Sequence, residues 1–527
     1  MTHVNTERIV KYSVDDEFAL LADLIRQHAV TTPLKLAITD DTEVPHELTY
    51  ADLDAQMDRV ASRLTTAGLQ AGSTIAICAK SSSAYASIFL GALRAGIAVA
   101  PLPPSATTST LTKMLVDSEA KLVFLDSDGN AALPQQAPGH PMRVALDACP
   151  GLLTMEAWLH SAASGIALGR TVDADSAFNI IYSSGTTGEP KGVVQSHRMR
   201  WAHIQRARRY KYSATSVTLL STPLYSNTTL VAFFPALAFG GTVVLMSKFD
   251  TGKYLALCEA HRATHTMLVP VQYLRLMQHE GFGQHNLSTF VMKLCSSAPF
   301  PAALKSEVLA RWPGGLTEIY GMTEGGGSCL LEADVYPGKL HTVGRPAPGS
   351  EFRVISEGGT EVPEGSLGEI VGRSKGMMTG YHGRPGLTSE SEWFDQEGRR
   401  YIRTGDLGRF DEDGFLILVD RIKDLLISGG FNVYPRDLED ILHQHTDISE
   451  AAVTGIPSEE WGESPAAFVV LKPFGNATPA DLMRWVNNQV GKTQRLVSVT
   501  LLKELPRNAI GKVLKRELRQ LARLERP

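Results

Sequence analysis

One stretch of this sequence, IIYSSGTTGEPKGVVQSH at residues 180–197, combines residue types that can hold phosphate. An apolar run ends at Tyr182, and a loop of small polar residues follows it. The N–H groups and hydroxyls of such a loop can converge on one anion, and its glycines allow a close approach. A flexible surface loop is the alternative interpretation of the same composition. The residues predicted to surround phosphate oxygens are Ser183, Ser184, Gly185, Thr186, Thr187, Gly188 and Lys191.

This loop does not fit the P-loop of phosphotransferases. That loop requires glycine directly before its lysine, whereas Pro190 stands before Lys191 here. Further along, Ser196 is predicted to cap a helix that begins near His197, because a serine hydroxyl can accept from an N–H of the first helical turn. His197 itself is expected to be a packing or surface residue. Lys293 and Lys375 are expected to be solvated charges.

These residues need elements to position them, and the chain provides an alternating pattern. The stretch TYADLDAQMDRVASRL at residues 49–64 predicts an amphipathic helix. Strand-like runs such as STIAIC and KLVFL then alternate with helical runs such as AYASIFLGALRAG. This alternation predicts an α/β fold with largely parallel sheets.

The pattern changes near DRIKD at residues 420–424, which predicts a domain boundary there. Short strands and turns precede it. A compact series follows, with a helix in PRDLEDILHQH, a strand in AAVTGI, a helix in DLMRWVNNQV and a basic tail at residues 501–527. The tail is expected to be a solvated amphipathic helix.

Composition restricts the class of protein. A length of 527 residues allows about three or four domains, and 43% hydrophobic with 20% charged residues is typical of globular proteins. The net charge of −5 does not suggest a nucleic-acid or membrane partner. Five separated cysteines without a CxxC pair predict reduced core thiols. Because no leader or membrane span is recognisable, the protein is expected to be cytoplasmic.

The loop resembles the phosphate-binding signature of the adenylate-forming superfamily, and further motifs of the chain follow in the order typical of that superfamily. That superfamily includes acyl-CoA synthetases, peptide-synthetase adenylation domains and beetle luciferases, and the resemblance spans essentially the whole chain. The motifs that carry it are SSGTTGEPKG (183–192), TYADL (49–53), LGALRAGIAVAPLPP (90–104), YGMTE (320–324), YIRTGD (401–406), DRIKD (420–424), ISGGFNVYP (427–435) and PRNAIGK (506–512).

The resemblance implies a large N-terminal domain of layered α/β subdomains, residues 1–422, and a small mobile α+β C-terminal domain, residues 423–527. It also implies two half-reactions. A carboxylate attacks the α-phosphate of ATP to give an acyl-adenylate and pyrophosphate. A thiol, usually that of coenzyme A, then displaces AMP. The oligomeric state stays open, a homodimer included.

The resemblance further implies nucleotide contacts. Glu324 would hold Mg²⁺, since a carboxylate with phosphate oxygens is a usual magnesium arrangement. Thr323 would contact the α-phosphate, Asp406 would accept from both ribose hydroxyls, and Arg421 would reach the ribose and phosphate end. The residues implied to surround adenine are Ser297, Ala298, Pro299, Tyr320 and Gly321.

Three further roles are implied for the C-terminal part. Lys512 resembles the mobile catalytic lysine, whose ammonium can bridge the attacking carboxylate and the α-phosphate. Lys423 resembles the hinge residue about which the small domain rotates between the half-reactions. Gly429 and Gly430 would line the narrow tunnel for the pantetheine arm of CoA, where a side chain would block the thiol.

The acyl pocket is implied at Tyr225, Ser226, Asn227 and Thr228, together with Ser296. Amino-acid-activating relatives carry an aspartate in this stretch, and none is present here, so an amino acid is not expected. Ser226 stands where many acyl-CoA synthetases have a histidine. Ser296 and Ser297 stand where relatives often have glycines, and two hydroxymethyl groups would narrow the cavity. These residues therefore favour an aryl or medium-chain acid over a long-chain fatty acid, which stays the alternative substrate.

The expected acceptor is CoA, because ISGGFNVYP is close to the CoA-ligase form of that motif. The principal alternative is a stand-alone enzyme that loads an aryl or acyl group onto a carrier protein. An oxidative luciferase-like enzyme and a non-catalytic AMP-binding protein are further alternatives. The presence of Glu324, Asp406 and Lys512 argues against the last of these.

Overall fold

The computed structural model describes residues 12–42, 45–134, 140–160, 172–183, 190–428, 431–459, 461–508 and 511–524. The chain divides into two units. The first comprises residues 1–340, 347–351 and 373–402, and the second comprises residues 341–346, 352–372 and 403–527. Residues 403–422 therefore group with the second unit. The predicted domain boundary between residues 422 and 423 stays a prediction.

Polar caps start several helices. Thr49 accepts from the backbone of Asp52 and forms a capping box that starts α2, which confirms the helix predicted at residues 49–64. Ser196 caps α7 as predicted. The α-helices are α1 (Leu21–Thr31), α2 (Tyr50–Thr66), α3 (Ser83–Arg94), α4 (Thr108–Asp117), α5 (Ser127–Ala132), α6 (Met155–His160), α7 (His197–Arg206), α8 (Asn227–Ala238), α9 (Thr251–Ala260), α10 (Pro270–Gln278), α11 (Ala302–Arg311), α12 (Pro385–Glu390), α13 (Pro435–His443), α14 (Pro479–Asn487) and α15 (Lys515–Leu524).

The rest of the described chain consists of strands, short 3₁₀ helices and connecting segments. Short 3₁₀ helices occur at Ala207–Tyr210, Phe282–Gln284, Pro337–Lys339, Ile422–Asp424 and Lys492–Gln494. The strands are β1 (Leu36–Asp40), β2 (Leu48–Thr49), β3 (Thr74–Cys78), β4 (Ala98–Pro101), β5 (Leu122–Leu125), β6 (Met142–Ala145), β7 (Leu153–Thr154), β8 (Ala177–Ser183), β9 (Lys191–Ser196), β10 (Val217–Leu220), β11 (Thr242–Leu245), β12 (His265–Leu268), β13 (Met292–Cys295), β14 (Gly315–Met322), β15 (Gly325–Glu332), β16 (Arg345–Pro346), β17 (Glu351–Ile355), β18 (Gly368–Arg373), β19 (Gly380–Tyr381), β20 (Glu392–Phe394), β21 (Arg400–Phe410), β22 (Leu416–Arg421), β23 (Leu426–Ser428), β24 (Phe431–Val433), β25 (Ile448–Ser458), β26 (Gly462–Leu471) and β27 (Ser498–Leu501).

Two large sheets organise the first unit. One runs in the order β15-β14-β13-β12-β10-β11-β1-β2, and its strands from β14 to β1 are parallel. The other runs β19-β9-β8-β4-β3-β5-β6-β7, with β9 antiparallel to β8 and β19 antiparallel to β9. The predicted layered α/β structure with largely parallel sheets is confirmed.

The core of the first unit is apolar and aromatic. Phe89, Phe178 and Phe234, from α3, β8 and α8, pack against one another with ring centroids 5.0 to 6.2 Å apart. Nearly every residue of α8 is buried, as expected for a helix enclosed by other elements. All five cysteines are buried free thiols, as predicted.

The second unit contains a smaller sheet in the order β24-β23-β26-β25, with β27 beside β26. Leu438 of α13 and Leu482 of α14 belong to its apolar core. Leu518 of α15 packs with Phe468 of β26, so the basic tail contains the predicted amphipathic helix. Among the described residues, no helix is long and apolar enough to cross a membrane. The cytoplasmic location stays a prediction.

Candidate active site

Predicted site residues of the first unit lie where parallel strands end. Ser296–Pro299 follow β13, Tyr320 and Gly321 are near the end of β14, and Tyr225–Thr228 follow β10. Because these strands are parallel, their carboxyl ends meet at one edge of the sheet, where α/β proteins commonly bind ligands. The sheet thus brings the predicted adenine and acyl segments to the same edge.

The predicted phosphate loop connects β8 and β9. Ser183 pairs with Lys191 in this antiparallel hairpin. Residues 184–189 are outside the described chain, and so are the predicted ligands Ser184, Gly185, Thr186, Thr187 and Gly188. Lys191 begins β9, and its Nζ lies 5.4 Å from the ring centroid of Tyr381. The hairpin therefore fixes the position of the loop lysine.

Tyr381 contacts both Lys191 and Glu324, the predicted magnesium ligand. Its hydroxyl donates to Glu324 Oε1 at 2.9 Å, and Glu324 is buried. Burial first, and then the Glu324 carboxylate, raise the pKa of Tyr381, so this hydroxyl remains a donor. The Glu324 backbone carbonyl accepts from Met378 N, which anchors the turn after YGMTE. A cationic amine, a phenol and a carboxylate thus lie close together.

Glu324 fits the predicted magnesium role as a single ligand. No group of three or more His, Cys, Asp or Glu side chains that could hold a metal by themselves occurs in the described parts of the chain. Such a site suits Mg²⁺, which is commonly bound by one or two carboxylates together with substrate phosphates. Glu324 would therefore hold this ion only jointly with ATP.

Gln195 of β9 connects three predicted segments. Its Nε2 lies 2.7 Å from the Thr323 carbonyl oxygen and 3.2 Å from Asn227 Oδ1, while its Oε1 accepts from Asn179. Gln195 is fully buried. An unmade hydrogen bond would be costly at such a site, so this side chain fixes the YGMTE turn relative to the start of α8.

The two serines after β13 have different environments. Ser296 Oγ donates to the Ile319 carbonyl at 2.8 Å, so its hydroxyl is bonded to the β14 backbone. Ser297 has a φ of 83°, a left-handed conformation unusual outside glycine, and its hydroxyl bonds with that of Thr228. Ser297 thus contacts a second predicted acyl-pocket residue. The narrowing of the cavity by both serines stays a prediction.

The expectation for Lys293 was wrong, whereas that for His197 is confirmed. Lys293 is fully buried, and its Nζ donates to the carbonyls of Trp312 and the next two residues at 2.7 to 3.0 Å. Burial lowers its pKa to about 7. The carbonyls after α11 explain its position, because an ammonium can satisfy free carbonyls there. His197 is buried and packs edge-on against Phe178.

The second unit brings its predicted residues together. Asp406 and Arg421 are opposite each other on β21 and β22, and Arg421 Nε lies 3.0 Å from Asp406 Oδ1. Lys512 is near this pair. Burial first, and then the charges of Arg421 and Lys423, lower the pKa of Lys512 to about 8, although Asp424 and Asp406 act in the opposite direction. An acid, a guanidinium and an ammonium therefore share one polar region.

Lys512 is held by a short backbone loop. Its N–H donates to Asn508 Oδ1, and its carbonyl accepts from Asn508 N. Lys423 is exposed in the 3₁₀ turn Ile422–Asp424, between β22 and β23, a position compatible with the predicted hinge. Gly429 and Gly430 lie outside the described residues.

Sequence reasoning missed Tyr381 and Gln195. Tyr381 is 57 residues from Glu324 and belongs to the two-residue strand β19, so no spacing links it to the YGMTE motif. Gln195 occurs among strand residues of GVVQSH, where a lone glutamine normally indicates a solvated position. Its position after two valines and before the helix cap Ser196 was a weak signal that the side chain is buried. Its hydrogen-bond partners, however, become evident only from the pairing of the strands.

Comparison with known proteins decides the family. The family described as AMP-binding enzyme matches residues 25–382, and the AMP-binding enzyme C-terminal domain matches residues 437–512. The chain belongs to the AMP-binding enzyme family. A fatty acid–[acyl-carrier-protein] ligase of Streptomyces coeruleorubidus is 32% identical over 94% of both chains. A feruloyl-CoA synthase of Amycolatopsis sp is 32% identical, over 90% of this chain and 94% of its own.

A solved structure agrees with this assignment. ATP-bound MatB from Rhodopseudomonas palustris has a TM-score of 0.82 and 31% identity, and the match covers 95% of this chain and 98% of that one. The predicted adenylate-forming family, the α/β fold with a large and a small domain, and the ligase class are confirmed. The mobility of the small domain and the roles of the individual site residues stay predictions.

Proposed function

We propose that the protein is an ATP-dependent carboxylic acid–CoA ligase that works through an acyl-adenylate. The observation that carries the proposal is the environment of Lys512, which lies near the Asp406–Arg421 pair. This region offers a carboxylate for the ribose hydroxyls and two cationic side chains for phosphate oxygens. Such a combination suits a nucleotide that is attacked at its α-phosphate.

In the first half-reaction, a carboxylate oxygen of the acid bonds to the α-phosphorus while the bond to pyrophosphate breaks. Negative charge builds on the oxygens around phosphorus, and the Lys512 ammonium would stabilise it there. Lys191 would hold the departing pyrophosphate. Glu324 would hold Mg²⁺, which supplies positive charge at the phosphates, and Tyr381 would orient this carboxylate through its 2.9 Å hydrogen bond.

In the second half-reaction, a thiol sulfur attacks the acyl carbon and AMP leaves. We assign the acceptor as CoA, with Gly429 and Gly430 beside the pantetheine arm. The relatives include a CoA ligase and an acyl-carrier-protein ligase by name, so loading of a carrier protein is the second candidate.

For the acid, we propose an aryl or medium-chain substrate bound near Tyr225, Ser226, Asn227 and Thr228. No carboxylate occurs in that stretch to pair with an ammonium, which disfavours amino acids. The hydrogen bond between the hydroxyls of Ser297 and Thr228 supports this preference, since two hydroxyls in the proposed pocket would leave less room for a long chain. The feruloyl-CoA synthase relative acts on an aryl acid by its name.

The test measures exchange of labelled pyrophosphate into ATP and formation of a thioester with a panel of aryl, medium-chain and long-chain acids. Each acid is assayed alone, with CoA and with a phosphopantetheine-bearing carrier protein. We expect ATP–pyrophosphate exchange without a thiol, and thioester formation with CoA. Thioester formation only on the carrier protein would favour the second candidate. Absence of exchange with every acid would refute both.

A further inference from the structure

Asp117 is the last residue of α4 and accepts hydrogen bonds from two other parts of the first unit. Its Oδ2 accepts from the Tyr182 hydroxyl at 2.8 Å, and its Oδ1 accepts from Arg384 Nη2 at 3.1 Å. The Asp117 side chain is 16% exposed. A carboxylate at the C-terminus of a helix is disfavoured by the helix dipole, so α4 itself does not explain this acid. The two hydrogen bonds account for its position.

The first partner, Tyr182, directly precedes the predicted phosphate loop. Tyr182 pairs with Gly192 in the β8–β9 hairpin, next to the pair formed by Ser183 and Lys191. Burial first, and then the Asp117 carboxylate, raise the pKa of Tyr182, so its hydroxyl keeps its proton and donates. A hydrogen bond to an ionised group is about twice as strong as one between neutral groups. Asp117 therefore fixes the end of β8 beside the strand that begins with Lys191.

Gly192, the last residue of the SSGTTGEPKG motif, leaves room for this hydrogen bond. A Cβ at Gly192 would lie 3.2 Å from Asp117 Oδ2, 3.2 Å from Tyr182 Cε1 and 2.8 Å from Ile180 Cγ2. The optimal separation of two carbon atoms is about 3.5–4.0 Å, so a side chain here would push its neighbours aside. The motif glycine and the acid at the end of α4 are therefore packed against each other.

The second partner, Arg384, lies beside the segment that carries Tyr381. Arg384 N donates to the Tyr381 carbonyl at 3.1 Å. Tyr381 belongs to β19, which is antiparallel to β9, and its hydroxyl donates to Glu324. Through Arg384, Asp117 therefore holds the segment that positions the predicted magnesium ligand.

Both connections lead to the same part of the predicted nucleotide site. His382 N donates to the Gly192 carbonyl at 2.7 Å, which joins β19 to the hairpin. Lys191 Nζ lies 5.4 Å from the ring centroid of Tyr381. In the proposed function, Lys191 holds the departing pyrophosphate and Glu324 holds Mg²⁺. A carboxylate on α4 thus fixes the two strands whose side chains would hold these groups.

We propose that Asp117 is a positioning residue for the β- and γ-phosphates of ATP and for the pyrophosphate that leaves. It acts through Tyr182 and Arg384, which fix β9 and β19 relative to α4 and to each other. This inference rests on the proposed function and adds to it a residue outside the motifs that resemble the family. AMP has no β- or γ-phosphate, so its binding should not depend on Asp117.

The experiment measures the Kd of MgATP and the Kd of AMP by isothermal titration calorimetry of the full-length protein, without acid. Asp117→Ala removes both hydrogen bonds. We expect it to raise the Kd of MgATP about 10- to 100-fold, as loss of a partner that orients a metal ligand typically does. The Kd of AMP should stay unchanged. In the exchange assay, Asp117→Ala should likewise raise the KM for pyrophosphate and leave the KM for the acid unchanged.

Three further variants test the route. Asp117→Asn should raise the Kd of MgATP less than alanine does, because its amide can accept from Arg384 and donate to the Tyr182 hydroxyl. Tyr182→Phe and Arg384→Met each remove one hydrogen bond, and each should raise the Kd of MgATP in part. Adding Tyr182→Phe to Asp117→Ala should cause no further rise, since both changes remove the same interaction.

Asp54→Ala is the matched control. The Asp54 side chain is 20% exposed and also pairs with arginines of other elements, Arg94 of α3 at 2.5 Å and Arg26 of α1 at 3.4 Å. Loss of Asp54 therefore removes a comparable set of contacts from the same unit. It should leave the Kd of MgATP and the Kd of AMP unchanged, even where it lowers Tm.

The outcomes separate the inference from the proposed function. Equal rises of the two Kd values in Asp117→Ala would indicate a general structural role and overturn the inference, and so would an unchanged Kd of MgATP. The proposed function would survive either result, because pyrophosphate exchange by the wild type tests it separately. If the wild type binds neither MgATP nor AMP, the proposed function fails and the inference fails with it.

Discussion

At the scale of single residues, Lys512 illustrates how burial and neighbouring charges set the pKa of a lysine ammonium. Its ammonium is displaced from water and lies near the cations Arg421 and Lys423, which together hold its pKa at about 8. Asp406 and Asp424 limit this shift. The charged form therefore predominates at neutral pH, but the pKa is only about one pH unit above neutrality.

This environment predicts a pH dependence of adenylation. Below pH 8 Lys512 is an ammonium and can stabilise the α-phosphate transition state, whereas above pH 8 it becomes neutral. We expect kcat/KM for pyrophosphate exchange to fall as pH rises through about 8. Lys512→Ala should lower the rate about 10²–10³-fold and leave thioester formation from presynthesised acyl-adenylate intact.

Lys512→Arg is the control for the protonation state, because arginine stays charged across this range. Its residual exchange activity should lack the descending limb above pH 8. An unchanged limb in that variant would assign the titration to another group, and a wild-type adenylation rate in Lys512→Ala would remove the lysine from the mechanism.

Ser297 combines a backbone feature with a predicted specificity role. Its φ of 83° is costly for serine and is accepted readily by glycine, while its hydroxyl bonds Thr228. Ser297→Gly should leave Tm within a few degrees of the wild type and shift the optimum of kcat/KM towards longer or bulkier acids. A graded series of acids measures this shift, with Ser296→Gly as the comparison. If the acids rank in the same order of kcat/KM in both variants and the wild type, residues other than these two serines limit the size of the acid.

At the scale of elements, the β8–β9 hairpin and α8 are coupled to the YGMTE turn by buried polar contacts. Gln195 is the common member, since it bonds Thr323, Asn227 and Asn179. Each partner is on a different element. A change at this one side chain should therefore affect the position of several site segments at once.

Gln195→Met tests this coupling. Methionine has a similar length but cannot satisfy the Thr323 carbonyl or Asn227, so the free energy of unfolding should fall by about 1–3 kcal/mol. We also expect kcat/KM for exchange to fall at least tenfold at a temperature where the variant is folded. Gln205→Met is the control: Gln205 also donates to a backbone carbonyl, that of Asp16 at 2.9 Å, away from these motifs. Equal activity losses in both variants would indicate a general effect of stability.

At the scale of the whole molecule, periodicity and ordered motifs were sufficient to predict the α/β class, the parallel sheets and the small second unit. Capping at Thr49 and Ser196 was also predictable, because it depends on neighbours within one turn. The contacts of Tyr381 and Gln195 could not be predicted from the sequence. They depend on strands and helices brought together from distant parts of the chain, and a single sequence carries no signal for such pairs. Lys293 was misread for the same reason, since its carbonyl partners follow a separate helix.

The predicted rotation of the small domain is the whole-molecule property that connects the two half-reactions. In the structure, residue 423 lies in the 3₁₀ turn Ile422–Asp424, and the same second unit holds Lys512 near Asp406 and Arg421. A 3₁₀ turn has φ between about −50° and −70°, which includes the value near −65° that proline fixes. Proline at residue 423 should therefore be compatible with the conformation in which Lys512 lies near Asp406 and Arg421.

Lys423→Pro should separate the half-reactions. If the thiol step requires another φ at residue 423, exchange of labelled pyrophosphate into ATP should persist while thioester formation collapses. Lys423→Ala is the control: little change with alanine together with a damaging proline would assign the effect to backbone rotation and not to the ammonium. Because proline also restricts Ile422, the unfolding midpoint is measured in parallel. Equal loss of both half-reactions with a lowered midpoint would indicate misfolding, and wild-type thioester formation in the proline variant would exclude residue 423 as the hinge.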